Sequence, residues 1–292
     1  MKLLIIGHSV EDHFINSEKE EIKPGGIYYT ASALNYLKIP GDEVVLLTAV
    51  EKENYNLFSN VYENFDKNYF QDVDSIPKVF LKIYKQDERD ECYNKVTENL
   101  NINIENLDSF DGILINMITG FDISLEQLIS LRKSFKGLIY FDVHTLSRGL
   151  EADGKRSFRT IPDFSKWAGL LDIIQVNQHE LLTLSDKKEQ MDIVREILNS
   201  GTKYLILTME ELGAKVFYLE NGEINSVFKP ANKIEVKNKI GCGDIFGAVF
   251  FYDYLINRDI NKSLEKANYA AGLTAAGRDL KELNKLIKDA SY

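Results

Sequence analysis

The stretch Asn238-Lys239-Ile240-Gly241-Cys242-Gly243-Asp244-Ile245-Phe246-Gly247-Ala248 joins a glycine-rich turn directly to an apolar segment typical of a buried helix. Glycine lets the backbone approach a ligand closely and adopt positive φ. The N–H groups that open the helix, aided by its dipole, favour an anion. Asp244 would then be placed to take a proton from an alcohol beside a transferring phosphoryl group. On its own, this short pattern is explained more simply by a tight strand–helix turn with Asp244 as an N-terminal helix charge.

The rest of the chain predicts strands alternating with helices. Short apolar runs that end in a polar residue predict strands at 2–6, 43–49, 111–116, 137–142, 172–176 and 203–208. Helical patterns occupy 26–37, 124–134, 163–170, 179–199, 243–257 and 261–276. This alternation is typical of a mainly parallel sheet with helices on both faces.

Two stretches depart from that alternation. Residues 78–97 and 214–229 each contain two strand-like runs around a polar turn, which predicts antiparallel hairpins. The first hairpin would be suited to cover a site. Because the sequence contains no linker, low-complexity segment or internal repeat, we predict one domain over residues 1–292.

Composition excludes several classes of protein. The chain has 292 residues, with 35 basic and 45 acidic side chains and a net charge of −10, which disfavours general binding to nucleic acid or anionic membranes. No run approaches the ~20 apolar residues of a membrane span. Two cysteines form no disulfide framework, and the four histidines lack metal-ligand spacing. We therefore expect a cytoplasmic protein without a nucleic-acid or membrane partner.

Five motifs in the same order, from residue 3 to about residue 275, resemble the ribokinase-like carbohydrate kinases, the PfkB family. They are Gly7 to Asp12, Gly25-Gly26, Asn177 to Glu180, Thr208 with Gly213-Ala214, and Gly241 to Phe246. The resemblance implies a three-layer α/β/α fold with a small β-hairpin lid. Since the span from Asn16 to Pro24 is short, we expect the lid to come mainly from about 78–97, and the protein to be a monomer or a homodimer through it.

The resemblance also implies roles for individual residues. Asp244 would be the catalytic base, and Gly241, Cys242 and Gly243 would complete the anion hole. The acceptor would contact Asp12, Gly25, Gly26 and Thr30, while Glu180 would organise Mg²⁺ and phosphates, largely through water. ATP would contact Asn177, Thr208, Gly213 and Asn268.

Three further residues follow the predicted strand 137–142 or begin the apolar helix. Arg148 would stabilise phosphoryl charge or else be an ordinary surface arginine. His144 would bond to the acceptor or be structural. A helix N-terminus would lower the pKa of Cys242, although the simpler interpretation is that this cysteine replaces a small alanine of the family.

The sequence departs from the family pattern at three places. Asn238-Lys239 replace an Asp-Thr pair whose Asp helps to hold a monovalent cation, so we expect little activation by potassium. Glu210 replaces a glycine of the nucleotide loop. Tyr28-Tyr29 precede Thr30 where ribokinases have a sugar-binding Asn, which resembles a branch that includes inositol-type kinases.

These features favour an ATP-dependent kinase that phosphorylates a hydroxyl of a small sugar or polyol. A nucleoside or inositol-type kinase of the same family is an alternative, as is a non-catalytic ligand-binding relative, for which Asn238-Lys239 and Glu210 would be the signs. A Rossmann oxidoreductase fits poorly, because no Gly-x-Gly-x-x-Gly follows the first strand.

Overall fold

A nine-stranded sheet forms the centre of the molecule in the computed structural model, which describes residues 1–15, 20–82, 90–95 and 98–283. In spatial order its strands are β15 (Glu223–Lys229), β14 (Ala214–Glu220), β13 (Tyr204–Thr208), β12 (Ile173–Asn177), β9 (Leu138–Asp142), β8 (Gly112–Asn116), β1 (Lys2–Ile6), β4 (Glu43–Glu51) and β5 (Phe70–Val73). All neighbours pair in parallel except β13–β14 and β14–β15. The predicted mainly parallel sheet is confirmed, and the hairpin predicted at 214–229 extends one edge of it.

Helices cover both faces of this sheet. They are α1 (Tyr28–Leu37), α2 (Ser59–Tyr62), α3 (Leu125–Ser134), α4 (Phe164–Ala168), α5 (Gln178–Leu181), α6 (Gln190–Asn199), α7 (Cys242–Asn257) and α8 (Ile260–Ala275). Side chains alternate between the two faces of each strand. Thus Leu3 and Ile5 pack with α1, α7 and α8, whereas Leu4 and Ile6 pack with α3, α4 and α6. This produces the predicted three-layer α/β/α arrangement.

The helix predicted over 179–199 is two helices. Asn177 caps α5, because its side chain accepts hydrogen bonds from the N–H groups of His179 and Glu180. The chain then leaves the helical path, and the Ser185 hydroxyl donates to the Glu196 carboxylate of α6 at 2.6 Å. Apolar periodicity continues through the break, which explains why the pattern suggested one helix.

A four-stranded second sheet, here called the small sheet, has the order β3 (Glu20–Gly26), β2 (Ser9–Ile15), β6 (Lys78–Lys82) and β7 (Asp90–Tyr93). We expected residues 78–97 to supply most of it, but two of its four strands come from residues 9–26. The difference arises at Pro24-Gly25-Gly26, a stretch that suggests a loop and yet pairs in register with Ser9, Val10 and Glu11. Residues 83–89 and 96–97 of the expected lid lie outside the described residues.

One edge of the small sheet is bonded to the main body of the protein. The Tyr93 N–H donates to the Gly154 carbonyl at 2.9 Å, and Cys92 forms an isolated bridge with Lys155. Lys155 lies in the turn between β10 (Arg148–Leu150) and β11 (Arg156–Phe158), which form a two-stranded antiparallel sheet. Within the described ranges, no helix has the length and apolar character that crossing a membrane requires.

Candidate active site

A cavity lies between the small sheet and the N-terminus of α7. Part of this cavity is open to solvent. One wall is formed by alternate residues of β2, β6 and β7, and the other by Tyr29, Ile118, His144 and the turn at 240–244. Both Asp12 and Asp244 line this cavity, so the structure brings together the predicted acceptor-binding carboxylate and the predicted base.

The turn before α7 places Asp244 at the cavity. Gly241 has φ +77°, and a Cβ there would lie 2.5 Å from the Tyr29 ring, so glycine is needed both for conformation and for space. The helix begins at Cys242, and the Ile245 N–H donates to the Gly241 carbonyl at 2.9 Å. The N–H groups of the first helical turn have no acceptor within the helix. Asp244 is buried in that turn, beside a local positive potential.

Asn116, at the carboxyl end of β8, holds the Asp244 carboxylate. Its side-chain amide donates to Asp244 Oδ1 at 2.9 Å and to Thr30 Oγ1 at 3.0 Å. Thr30 is fully buried and bonded to Asn116, whereas its neighbour Tyr29 is the residue of α1 that lines the cavity. The sequence analysis did not identify Asn116, although its position at the polar end of a buried strand was the available signal.

Asp12 is positioned by the facing glycine pair. It is buried on β2, and a Cβ on Gly25 would lie 2.1 Å from Asp12 Oδ2. The missing side chain at Gly25 therefore makes the space that the carboxylate occupies. Gly26 lines the cavity directly beside it.

A group of acidic side chains lies behind the turn. Asp142, at the end of β9, is buried, and burial raises its pKa well above the ordinary value, with the negative charges of Glu180 and Asp244 adding to the effect. Gln175 connects this group to the turn, because its amide donates to Asp142 Oδ2 at 3.3 Å and to the Gly243 carbonyl at 3.1 Å. The excess of negative charge favours a cation in this region.

Glu180 also has a structural role. Its Oε2 accepts from the Asn177 N–H at 2.8 Å, which completes a reciprocal capping box at the start of α5. The two residues of the predicted Asn-x-x-Glu motif thus hold each other. In the described part of the chain, no set of three or more His, Cys, Asp or Glu side chains forms a ready metal cage.

The residues predicted to contact nucleotide have polar partners within the protein. The Thr208 hydroxyl donates to the Val176 carbonyl at 3.3 Å, and the Asn268 amide donates to the Lys229 carbonyl at 2.9 Å. Gly213 packs against the backbone of residues 229–231. The Gly213 and Asn268 contacts join the loop after β13 and the α8 helix to the end of β15.

Arg148 is buried and Cys242 is half-buried. The Arg148 guanidinium lies 4.0 Å from the centroid of the Phe158 ring, so it stacks on β11 instead of lying on an open surface. Burial raises the pKa of Cys242 to about 12, and the charge of Asp244 adds to this. The expected lowering of the Cys242 pKa is wrong, because burial of the thiol outweighs the influence of the helix N-terminus.

Sequence reasoning missed two further residues of the cavity wall. Glu91 and Tyr93 lie on β7 with Cys92 between them, and both face the cavity. Their alternation was visible in the sequence, but nothing in it identified which face of the hairpin would be inward. His144, considered as an acceptor contact or a structural residue, also lines the cavity.

Comparisons with known proteins identify related folds. The model of the pfkB family of carbohydrate kinases matches residues 151–283. No curated protein matches the sequence. A sulfate complex of a pyrophosphate-dependent kinase of the ribokinase family is 18% identical, with a TM-score of 0.80 over 98% of this chain and 99% of that one.

Two other solved structures are similarly close. A pyrophosphate-dependent myo-inositol-1 kinase, converted into a myo-inositol-3 kinase by two substitutions, is 17% identical with a TM-score of 0.78 over 100% of both chains. An Arabidopsis thaliana ribokinase in complex with ribose and ATP is 16% identical with a TM-score of 0.73 over 98% of both chains. The resemblance drawn from the motifs is confirmed: the chain has the fold of the ribokinase family, and its residues 151–283 match the pfkB carbohydrate kinases.

Proposed function

We propose that this protein is a kinase that transfers the γ-phosphoryl group of ATP to a hydroxyl of a small sugar or polyol. One observation carries the proposal: Asp244, in the first turn of α7, and Asp12, on the small sheet, line the same cavity. A general base, a helix N-terminus for a migrating phosphate and a carboxylate for acceptor hydroxyls are then next to one another.

In the proposed reaction, Asp244 accepts the proton of the acceptor hydroxyl while the hydroxyl oxygen forms a bond to the γ-phosphorus. The bond from that phosphorus to the bridging oxygen of ADP breaks, and ADP takes the electron pair. Asn116 keeps Asp244 Oδ1 in place through its 2.9 Å hydrogen bond. The N–H groups at the start of α7 stabilise the negative charge on the transferring group.

The acidic residues near the turn fit a magnesium ion that binds together with the donor. Mg²⁺ typically takes one or two carboxylates and completes its shell with water and phosphate oxygens, so a closed protein cage is not required. Glu180 would hold it. Burial raises the pKa of Asp142 and the charges of Glu180 and Asp244 add to this, so a cation bound nearby would favour the ionised carboxylate. When bound, the ion neutralises charge on the phosphates.

The test is ADP release from MgATP with ribose, fructose, myo-inositol and adenosine as acceptors, with the Asp244→Asn protein as the matched control. We expect turnover with at least one acceptor and its near loss in the variant. Nucleotide binding without turnover on any acceptor would instead favour a non-catalytic relative. Preference for adenosine would identify a nucleoside kinase.

Pyrophosphate is a second candidate donor, because Glu210 replaces a glycine of the loop expected to bind nucleotide and pairs with a residue before α7. Lys239 Nζ lies 2.7 Å from Glu210 Oε2, which connects the residues before α7 to the loop after β13, where nucleotide was expected to bind. Three of the similar solved structures are of pyrophosphate-dependent kinases. Replacing ATP by pyrophosphate and following the phosphorylated product by ³¹P NMR decides between the donors.

A further inference from the structure

The inner face of the small sheet combines apolar side chains with two carboxylates. Because side chains alternate along a strand, the cavity receives Val10 and Asp12 from β2, Val79 and Leu81 from β6, and Glu91 and Tyr93 from β7. Asp12 and Glu91 are 6% and 4% exposed, respectively, so both are buried on strands that flank β6.

Strand pairing fixes the separation of these two acids. Asp12 is paired with Val79, Val79 with Tyr93, and Leu81 with Glu91. The two acidic residues are thus two strands apart and two residues out of register, which corresponds to roughly 12 Å between their backbones. Aliphatic side chains of β6 lie between them. A compact ring that carries hydroxyls at opposite ends matches this spacing, because its edges meet carboxylates while its face meets apolar groups.

The charge of the cavity restricts its ligand further. The cavity is lined by three acidic residues, Asp12, Glu91 and Asp244, and among the described residues that line it only His144 is a basic side chain. Arg156 stacks on the Tyr93 ring at 4.5 Å from its centroid, donates to the Thr119 carbonyl and interacts electrostatically with Glu91 from outside the cavity lining. A phosphate or carboxylate group on the acceptor would face like charge in a buried setting.

We propose that Glu91 is a second acceptor-binding carboxylate, opposite Asp12, and that the cavity selects uncharged polyhydroxylated rings and rejects acceptors that already carry a phosphate. This rests on the proposed function, because it assigns the acceptor side of the same cavity. Glu91 accepts hydrogen bonds from hydroxyls at the far end of the ring. Asp12 accepts from those nearer Asp244, and the reacting hydroxyl is left to the base.

Isothermal titration tests the inference separately from turnover. The probes are ribose, fructose and myo-inositol, each compared with its phosphate ester: ribose 5-phosphate, fructose 6-phosphate and inositol 1-phosphate. We expect at least one neutral ring to bind, and its ester to bind weaker by on the order of a hundredfold. Equal binding of the ester, or no binding by any neutral ring, would overturn the inference.

Glu91→Gln keeps the shape of the side chain and removes its charge. We expect it to weaken binding of the neutral ring by roughly tenfold and to leave the donor KM unchanged. The difference in affinity between the neutral ring and its phosphate ester should become smaller. Glu21→Gln, an exposed change on β3 of the same sheet, is the matched control. A role for Glu91 that is only structural, for example beside Arg156, would lower the melting temperature and leave acceptor selectivity as it was.

The two readouts separate the inference from the proposed function. If neutral rings bind through Glu91 but no donor is consumed, the kinase assignment fails and the binding inference stands. If neutral rings and their esters are phosphorylated equally well, or Glu91→Gln leaves the acceptor KM unchanged, the kinase assignment stands and the inference fails.

Discussion

Lys239 Nζ lies 2.7 Å from Glu210 Oε2, so two residues that depart from the family pattern pair with each other. Both side chains are about half exposed. The neighbouring Asn238 side chain also has a local partner, because its amide oxygen accepts from the Ile240 N–H at 3.0 Å. The positive charge and the amide that replace a cation-binding Asp-Thr pair are therefore engaged within the loop.

We predict that activity depends little on potassium. An amide oxygen without formal charge is a weaker ligand for a hard cation than a carboxylate, and here it is already hydrogen-bonded. Removing potassium and sodium from the buffer should change kcat by less than about twofold, since the site lacks the charged ligand that hard cations favour. A several-fold rise on adding millimolar potassium chloride, compared with choline chloride at equal ionic strength, would contradict this.

Asp244→Asn should lower kcat by about 10²–10⁴-fold, the usual contribution of a general base. The amide keeps the shape of the side chain but cannot accept the proton. Donor binding, measured by calorimetry, should remain close to that of the native protein. A variant that retains more than about a tenth of kcat would show that another group is the base.

Gly25→Ala should impair acceptor binding while the protein stays folded. The new Cβ would lie 2.1 Å from Asp12 Oδ2, and the end of that side chain is the part that can move. We expect the acceptor KM to rise by roughly tenfold, as for loss of a charge-assisted hydrogen bond. Gly272→Ala is the control, since its Cβ would meet only Asn232 at 3.9 Å.

A double-mutant cycle identifies the cause of that effect. If Gly25→Ala acts by displacing the Asp12 carboxylate, it should add little in an Asp12→Ala background. Full additivity of the two changes in acceptor KM would mean that the alanine disturbs the site by another route.

The sequence predicted the architecture and half of the site for identifiable reasons. Apolar runs ending in polar residues predicted the parallel strands. The turn at Gly241–Asp244 was predictable because its backbone requires positive φ, which its glycines indicate. Asn116 was not predicted because its hydrogen-bond partners lie more than 80 residues away in the sequence. Glu91 was not predicted because its role depends on groups outside its own sheet. The strand at Pro24-Gly25-Gly26 was not predicted, because proline and glycine favour a turn. Pairing with the neighbouring strand β2 overrides that preference.

Asp142→Asn should stabilise the protein at neutral and alkaline pH. Burial raises the pKa of Asp142 in the folded state, with Glu180 and Asp244 adding to it. A raised folded pKa means that the folded protein keeps a proton which the unfolded chain releases. Stability from this group is therefore complete below the unfolded pKa, about 3.9, and is lost as pH rises toward the folded pKa.

Melting temperatures of the native and Asp142→Asn proteins at acidic and alkaline pH measure this effect. The variant should gain stability relative to the native protein as pH rises above the unfolded pKa of about 3.9, because its amide has no carboxyl group to ionise. Asp153→Asn, an exposed site, should show no such trend. A constant difference between native and Asp142→Asn proteins at all pH values would argue against a buried neutral carboxyl.

Cys242 should react slowly with iodoacetamide at pH 8. Burial raises its pKa to about 12, so the thiolate that reacts is scarce. Mass spectrometry of a Cys92→Ser protein, which leaves one thiol, measures the labelling rate, with the denatured protein as the reference. Labelling as fast as in denaturant would show that the thiol is accessible and that its pKa is not raised.

The small-sheet wall of the cavity and the turn that carries Asp244 come from separate parts of the chain. Residues of β2, β6 and β7 line one wall, whereas the turn that carries Asp244 lies within residues 151–283, the part that matches the family model. Substitutions in the first wall can thus alter which ring is accepted without touching the atoms that would transfer the phosphoryl group. Such a division lets substrate preference drift during evolution at a rate independent of the chemistry, and directed evolution of acceptor choice would best begin with a library confined to Val79, Leu81, Glu91 and Tyr93.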